Sequence, residues 1–254
     1  MSLALALVSL GHSQPQPEPH QGNISPSGAF VPKPTTAKSD AENAEKDTRP
    51  PPPDGSGKIQ WQGITIDTKA RSIAIPAVVN QTTGIIEYAL VHRDGKRHEA
   101  LLFTSVSPQI LHAAILLIGA KPAPLTAASS LTAIPPNASL TVSIEWDTNG
   151  PTAVHPLDSL VQRTPAPAAG NPQPSTPIPA GPWWFNGSQL NLGGFAAEAD
   201  GSILALIADP RAVINNPRPE RLRDDLHTPN AALLPKSGTP VRLIISLTPP
   251  APAP

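Results

Sequence analysis

The chain has 254 residues and a net charge of −1, from 18 basic and 19 acidic side chains. This balance does not favour nucleic acid as a partner, because a nucleic-acid-binding surface needs a basic face to neutralise phosphates. The absence of cysteine excludes disulfides, thiolate metal sites, cysteine nucleophiles and cysteine-ligated iron–sulfur clusters.

The N-terminal residues have the pattern of an export signal. The apolar run from Leu3 to Leu10 is too short to span a bilayer, but it has the length of a signal-peptide core. Gly11 and Ser13 are small residues that favour cleavage before Gln14, although no Lys or Arg precedes the run. We therefore expect residues 1–13 to be a signal peptide and the protein to be periplasmic or extracellular. The alternative is an apolar N-terminus that stays on the chain.

Membrane attachment is not expected from the rest of the sequence. No later segment is apolar over the roughly 18 residues that a transmembrane helix needs. No cysteine follows the apolar run, so a lipoprotein anchor is not expected.

Proline divides the rest of the chain. The 35 prolines cluster, which predicts a disordered tether at residues 14–57, a loop at 164–182 and a tail at 248–254. One globular domain is expected between them, at residues 58–247.

The domain begins with two predicted strands, Lys58 to Asp67 and Ser72 to Asn80. The second contains Pro76, which cannot donate to a ladder, so we expect an edge or a bulge there. Ile85 to Val91 and Arg97 to Thr104 then flank an Asp94-Gly95 pair, which predicts a hairpin with a type I′ turn. In the register of that hairpin, His98 and Glu99 point to opposite faces of the sheet.

A helix is predicted next. Ser107 is a suitable N-cap, Pro108 suits the first helical position and Gly119 ends the helix. Its interior is apolar nearly all round, so it should be largely buried.

Later elements are shorter. Strands are predicted at 140–146, 183–185, 202–208 and 241–247, and short helices at 156–162 and 210–215. Arg218, Arg221 and Arg223 are matched by Glu220, Asp224 and Asp225, which predicts a solvated, self-neutralising loop. These elements predict an α+β class: a β-rich single domain with a hairpin-containing, mostly antiparallel sheet, one well-defined buried helix and one or two short helices.

Seven segments of the domain carry a resemblance to a known family: IPAVVN from Ile75, GIIEYALV from Gly84, DGKRHEALLFT from Asp94, LHAAILLIGA from Leu111, WFNGS from Trp184, GSILALIADPRAVIN from Gly201 and GTPVRLII from Gly238. Together they resemble the YdjY-type domain of exported or envelope bacterial proteins. The resemblance covers about Ile73 to Leu247 and implies export and domain extent more than chemistry, because the family has no established activity. Ferredoxin-like labels given to some members do not transfer to a chain without cysteine.

The first candidate polar site is His98, Glu99 and His112. A carboxylate that orients an imidazole is common in catalytic and metal sites, and it is also a common buried structural pair. If the helix packs on the face that carries Glu99, Glu99 and His112 could meet.

The second candidate is the run Trp183, Trp184, Phe185, Asn186, Gly187, Ser188. Three consecutive aromatic residues cannot all face one side of a strand, so one tryptophan should meet solvent, a loop or a ligand. Trp183 or Trp184 beside Asn186 and Ser188 could stack on a sugar, but core packing is the alternative.

These features favour a non-catalytic domain that binds a partner or ligand at the cell envelope, such as an envelope protein or a glycan, with no cofactor. The alternative is a small hydrolase or metal-dependent enzyme that uses Glu99 and His112. The oligomeric state is not predicted.

Overall fold

The computed structural model describes residues 49–126, 130, 133–164 and 174–248. The predicted signal peptide, most of the tether and nearly all of the tail lie outside these residues. Within them, three α-helices are present, at α1 Pro108–Leu117, α2 Leu157–Leu160 and α3 Ala196–Asp200. The strands are β1 Lys58–Trp61, β2 Ile64–Asp67, β3 Ser72–Val79, β4 Tyr88–His92, β5 Ala100–Thr104, β6 Ser139–Trp146, β7 Ala153–Pro156, β8 Val161–Arg163, β9 Thr176–Pro177, β10 Trp183–Phe185, β11 Leu190–Asn191, β12 Gly194–Phe195, β13 Ser202–Ala205, β14 Ile214–Asn215, β15 His227–Pro229 and β16 Pro240–Leu247.

Eight of these strands close into a barrel, so the predicted α+β domain with a hairpin-containing, mostly antiparallel sheet is wrong. Their order is β3-β16-β6-β10-β14-β13-β4-β5, and the pairing of β5 with β3 completes the ring. The β1–β2 hairpin continues the sheet beyond β3, and β7 pairs with β6 outside the ring. Closure removes the open edges that the same strands would otherwise expose.

The predicted Asp94-Gly95 hairpin is also wrong, because β4 and β5 run parallel, with Leu90 beside Leu102. A type I′ turn needs positive φ at both central residues, and neither Asp94 nor Gly95 has it. The connection instead contains a 3-10 helix at Arg97–Glu99, which carries the chain back to the start of β4. Gly95 is needed for packing: a Cβ there would lie 3.0 Å from the Cα of Gly201.

The barrel interior is filled by alternate residues of the long strands. In β3, β6 and β16 the burial pattern alternates along the strand, as expected when one face packs on a core. Each isoleucine or leucine buried in this way contributes about 1.5–3 kcal/mol relative to exposure. The interior residues of these three strands are Ile73, Ile75, Ala77, Val79, Leu140, Val142, Ile144, Trp146, Val241, Leu243, Ile245 and Leu247.

Helix α1 begins and ends where the sequence predicts, but it is buried on one side only. The Ser107 hydroxyl accepts a hydrogen bond from the Ile110 amide at 3.4 Å, and Gly119 follows the helix with φ of +89°. Leu116 and Leu117 are 42% and 40% exposed, which corrects the prediction of a largely buried helix.

Pro76 lies where β3 changes partners. Residues 72–74 of β3 pair with β2, and residues 78–79 pair with β5, so Pro76 is opposite neither strand on that side. Its missing N–H therefore costs no ladder hydrogen bond there. The Thr104 hydroxyl donates to the Pro76 carbonyl at 2.7 Å and joins β5 to β3 across the gap. The proline thus marks the junction at which β2 and β5 diverge.

Candidate ligand-binding groove

The structure places Glu99 and His112 in different surroundings. The Glu99 carboxylate lies 3.6 Å from the imidazole of His98, in the 3-10 helix that follows β4. The His112 ring lies against Phe185 and Phe195, with ring centroids 5.5 Å and 5.2 Å away, and burial lowers its pKa. His98 and Glu99 are therefore neighbours, and His112 belongs to an aromatic cluster.

The three aromatic residues from Trp183 to Phe185 are all buried, at 4% exposure or less. The Trp184 indole N–H donates to the Ala123 carbonyl at 2.7 Å, so a loop covers this ring. The guanidinium of Arg218 lies 4.7 Å above the Trp183 ring and covers it in turn.

Asn186 and Ser188 hold loops in place. The Asn186 amide donates to the carbonyls of Pro210 and Ala212 at 3.1 Å and 2.9 Å. The Ser188 hydroxyl donates to the Arg211 carbonyl. These side chains therefore already have partners within the fold.

A cavity of about 590 Å³ lies at the junction that Pro76 marks. We call it the junction groove. It crosses the outer face of β5, β3, β16 and β6, which spans about 14 Å at the usual strand spacing. Its lining is mainly apolar, with charged groups beside it: Pro76, Ala77, Val78, Arg93, Phe103, Thr104, Ser105, Glu145, Trp146, Asp147, Thr152, Pro240, Val241 and Arg242.

The charges of the groove differ in how firmly they are held. Arg242 donates to Glu145 at 2.7 Å across neighbouring strands. Asp147 accepts a hydrogen bond from Thr152 at 3.3 Å. The side chain of Arg93 is 61% exposed and approaches Asp94 at 3.8 Å. Arg93 is therefore the lining cation best able to turn towards a bound anionic group.

A second cavity of about 400 Å³ adjoins the groove, and Ser105 lines both. Trp61, Gln109 and Glu198 line this second cavity. Glu198 accepts hydrogen bonds from the Ser107 hydroxyl at 2.7 Å and from the backbone amide of Gln109 at 2.9 Å. This carboxylate is therefore bound to the start of α1.

A buried charge cluster was missed by the sequence analysis, which predicted a solvated loop here. Arg218 is fully buried and donates to the Gly181 carbonyl at 2.9 Å and to Asn216 at 3.1 Å, and burial lowers its pKa to about 10. Asp158 lies 3.7 Å away. Arg221 is 5% exposed, whereas Arg223 and Asp225 form the exposed ion pair that the sequence suggests.

His227 is also fully buried, and neither ring nitrogen has a hydrogen-bond partner among the described residues. Burial lowers its pKa to about 4, although nearby Glu220 opposes the shift. His227 is therefore neutral near pH 7 and belongs to the packing of the fold.

Among the described residues, no three His, Asp or Glu side chains converge in an arrangement that could hold a metal ion. No helix in the described ranges is long and apolar enough to cross a membrane.

Comparison with known proteins identifies one family. The model of the YdjY domain matches residues 64–246, which confirms the predicted resemblance. No curated protein and no solved structure matches the chain.

Proposed function

The chain belongs to the YdjY domain family, and we propose that it is an exported, non-catalytic domain that holds a ligand in the junction groove. The observation that carries this proposal is the groove itself. Its volume of about 590 Å³ and its mainly apolar lining are those of sites that bind small molecules or short peptide segments.

The lining indicates the kind of ligand. Val78 and Phe103 are neighbours across β3 and β5, are half-buried, and offer an apolar floor. Arg93 offers an exposed cation at the same cavity. A ligand with an apolar or aromatic body and one acidic group would contact both the apolar floor and the cation.

The alternative hypothesis, a small hydrolase or metal-dependent enzyme, has less support. It requires Glu99 and His112 to act together, but Glu99 lies beside His98 and His112 lies between two phenylalanine rings. Substrate binding in the junction groove would leave both residues outside the groove lining.

The test uses anilinonaphthalene sulfonate, a fluorescent probe with an aromatic body and a sulfonate. Titration of the full chain should give saturable binding. Val78→Ser and Arg93→Gln should each weaken it about fivefold or more, since each removes one of the two contacts that the probe needs.

The matched control is Leu222→Ser, because Leu222 is 76% exposed and is absent from the groove lining. It should bind like the unchanged chain. Equal affinity in Val78→Ser, Arg93→Gln and the control would refute ligand binding in the groove.

Export is a separate part of the proposal and rests on the apolar run from Leu3 to Leu10 and the small residues after it. Fractionation of the native host should find the protein outside the cytoplasm with an N-terminus near Gln14. Cytoplasmic protein that retains residues 1–13 would refute export.

A further inference from the structure

A short hairpin projects two leucines from the domain. Strands β11 and β12 pair through Leu190 with Phe195 and Asn191 with Gly194. Leu190 is 84% exposed and Leu192, at the turn, is 110% exposed. We call residues 189–196 the leucine hairpin. Large exposed apolar side chains that stand together usually mark an interaction site.

The leucine hairpin is held at its base, so its exposure does not come from a loose attachment. The Ala196 amide donates to the Gln189 carbonyl at 2.9 Å and closes the base. The Ala197 amide donates to the Ser188 hydroxyl at 3.0 Å, and that hydroxyl donates to the Arg211 carbonyl. The leucines are therefore presented on a fixed support.

The apolar surface continues onto helix α1. The Phe195 ring contacts the His112 ring of the helix, with centroids 5.2 Å apart. Leu116 lies one turn further along the same face of the helix and is 42% exposed. Leu190, Phe195, His112 and Leu116 thus follow one another from the hairpin to the helix.

Basic residues lie near the hairpin base and the end of α1, and the exposed acidic residue Glu198 follows the hairpin. Residues 185–197 contain no Asp, Glu, Lys or Arg. Exposed Lys121 precedes Pro122, and a Cβ at Gly187, beside the hairpin base, would lie 2.5 Å from the Pro122 Cβ. Exposed Arg71 donates to the Ile118 carbonyl at the end of α1 at 3.1 Å.

The two nearest acidic groups along the chain differ, because Asp200 is paired with a cation whereas the donors to Glu198 are neutral. Glu198 accepts hydrogen bonds from Ser107 and Gln109, and Asp200 forms an ion pair with Arg211.

We propose that the leucine hairpin inserts Leu190 and Leu192 into an anionic lipid surface, with Lys121 and Arg71 against the headgroups. A projecting, uncharged apolar tip with basic residues beside it combines the two contributions that bind proteins to anionic membranes, apolar burial and electrostatic attraction. This site is distinct from the junction groove, because none of its residues lines that cavity.

The experiment is flotation of the full chain with phosphatidylcholine vesicles, prepared with and without phosphatidylglycerol. The chain should float with the anionic vesicles, and the double variant Leu190→Ser/Leu192→Ser should partition about tenfold less. Lys121→Gln and added salt should each weaken flotation, because both reduce electrostatic attraction.

Leu222→Ser is the matched control, since Leu222 is exposed but lies outside the leucine hairpin. It keeps the N-terminal apolar run, as the double variant does, so that run cannot produce a difference between them. Flotation of the double variant at the level of the control would overturn the proposal. So would a chain that does not float and whose self-association on gel filtration disappears in the double variant, because the hairpin would then bind a second copy.

Discussion

Acid should destabilise the protein through His227, which is fully buried with a pKa lowered to about 4. In the unfolded chain the imidazole recovers an ordinary pKa of about 6.5, so the unfolded state takes up the proton first as pH falls. The contribution to stability is complete above pH ~6.5 and is lost as pH falls towards 4. For these two pKa values, the free energy of unfolding should drop by about 2 kcal/mol between pH 7.5 and pH 5.

The variants His227→Phe and His227→Leu remove the titrating group. Both ring nitrogens of His227 lack partners among the described residues, so neither substitution removes a hydrogen bond, and leucine, which adds little volume, should be tolerated at pH 7.5. The loss of stability between pH 7.5 and 5 should then shrink to the smaller part contributed by His112, whose pKa burial also lowers.

Urea unfolding followed by tryptophan fluorescence at the two pH values measures these differences. His98→Gln is the control, because the His98 side chain is 81% exposed, and it should keep the full pH dependence. A wild-type protein equally stable at both pH values, or His227 variants that lose as much stability as the wild type, would refute the assignment.

Two further substitutions test the packing around the barrel. Arg218→Met should lower the free energy of unfolding by about 3 kcal/mol or more, because the carbonyls and the carboxylate around the fully buried guanidinium lose their partner. Arg223→Met removes an exposed guanidinium and should lower it by less than about 1 kcal/mol. Equal losses of stability in urea denaturation would show that Arg218 is not held as described. Gly201→Ala places a Cβ 2.7 Å from the Cα of Gly95, at φ of +68°. It should destabilise the protein more than Gly63→Ala, which has φ of +86° but open space and so costs only about 1–2 kcal/mol for the backbone conformation. Thermal melts that rank Gly63→Ala as the more damaging substitution would contradict the close packing.

Features with local signals could be predicted from the sequence. Ser107-Pro108 and Gly119 bound α1 because capping depends on the residues next to the helix ends. Pro76 predicted an edge or a bulge, whereas the structure pairs it with Arg242 on one side of β3 and places it between β2 and β5 on the other.

Features set by distant contacts could not. Asp94-Gly95 fits a type I′ turn locally, but packing of Gly95 against Gly201 and pairing with β3 place β5 parallel to β4. Barrel closure depends on residues 78–79 meeting 102–103, which no local pattern reports.

The surroundings of the candidate site residues also depend on distant contacts. Arg218 stands in a segment of mixed charge that is typical of a solvated loop, yet the chain folds over it and stacks it on Trp183. The junction groove combines residues from four strands that are far apart in sequence, so only the closed barrel brings Val78, Phe103 and Arg242 into one lining.

Ligand binding in the junction groove is tested most directly by NMR titration of the ¹⁵N-labelled chain with anilinonaphthalene sulfonate. The largest shifts of backbone amides should be at Ala77, Val78, Phe103 and Arg242, and Val78→Ser should reduce them. Shifts that concentrate on the leucine hairpin, or that are unchanged in Val78→Ser, would contradict binding in the groove.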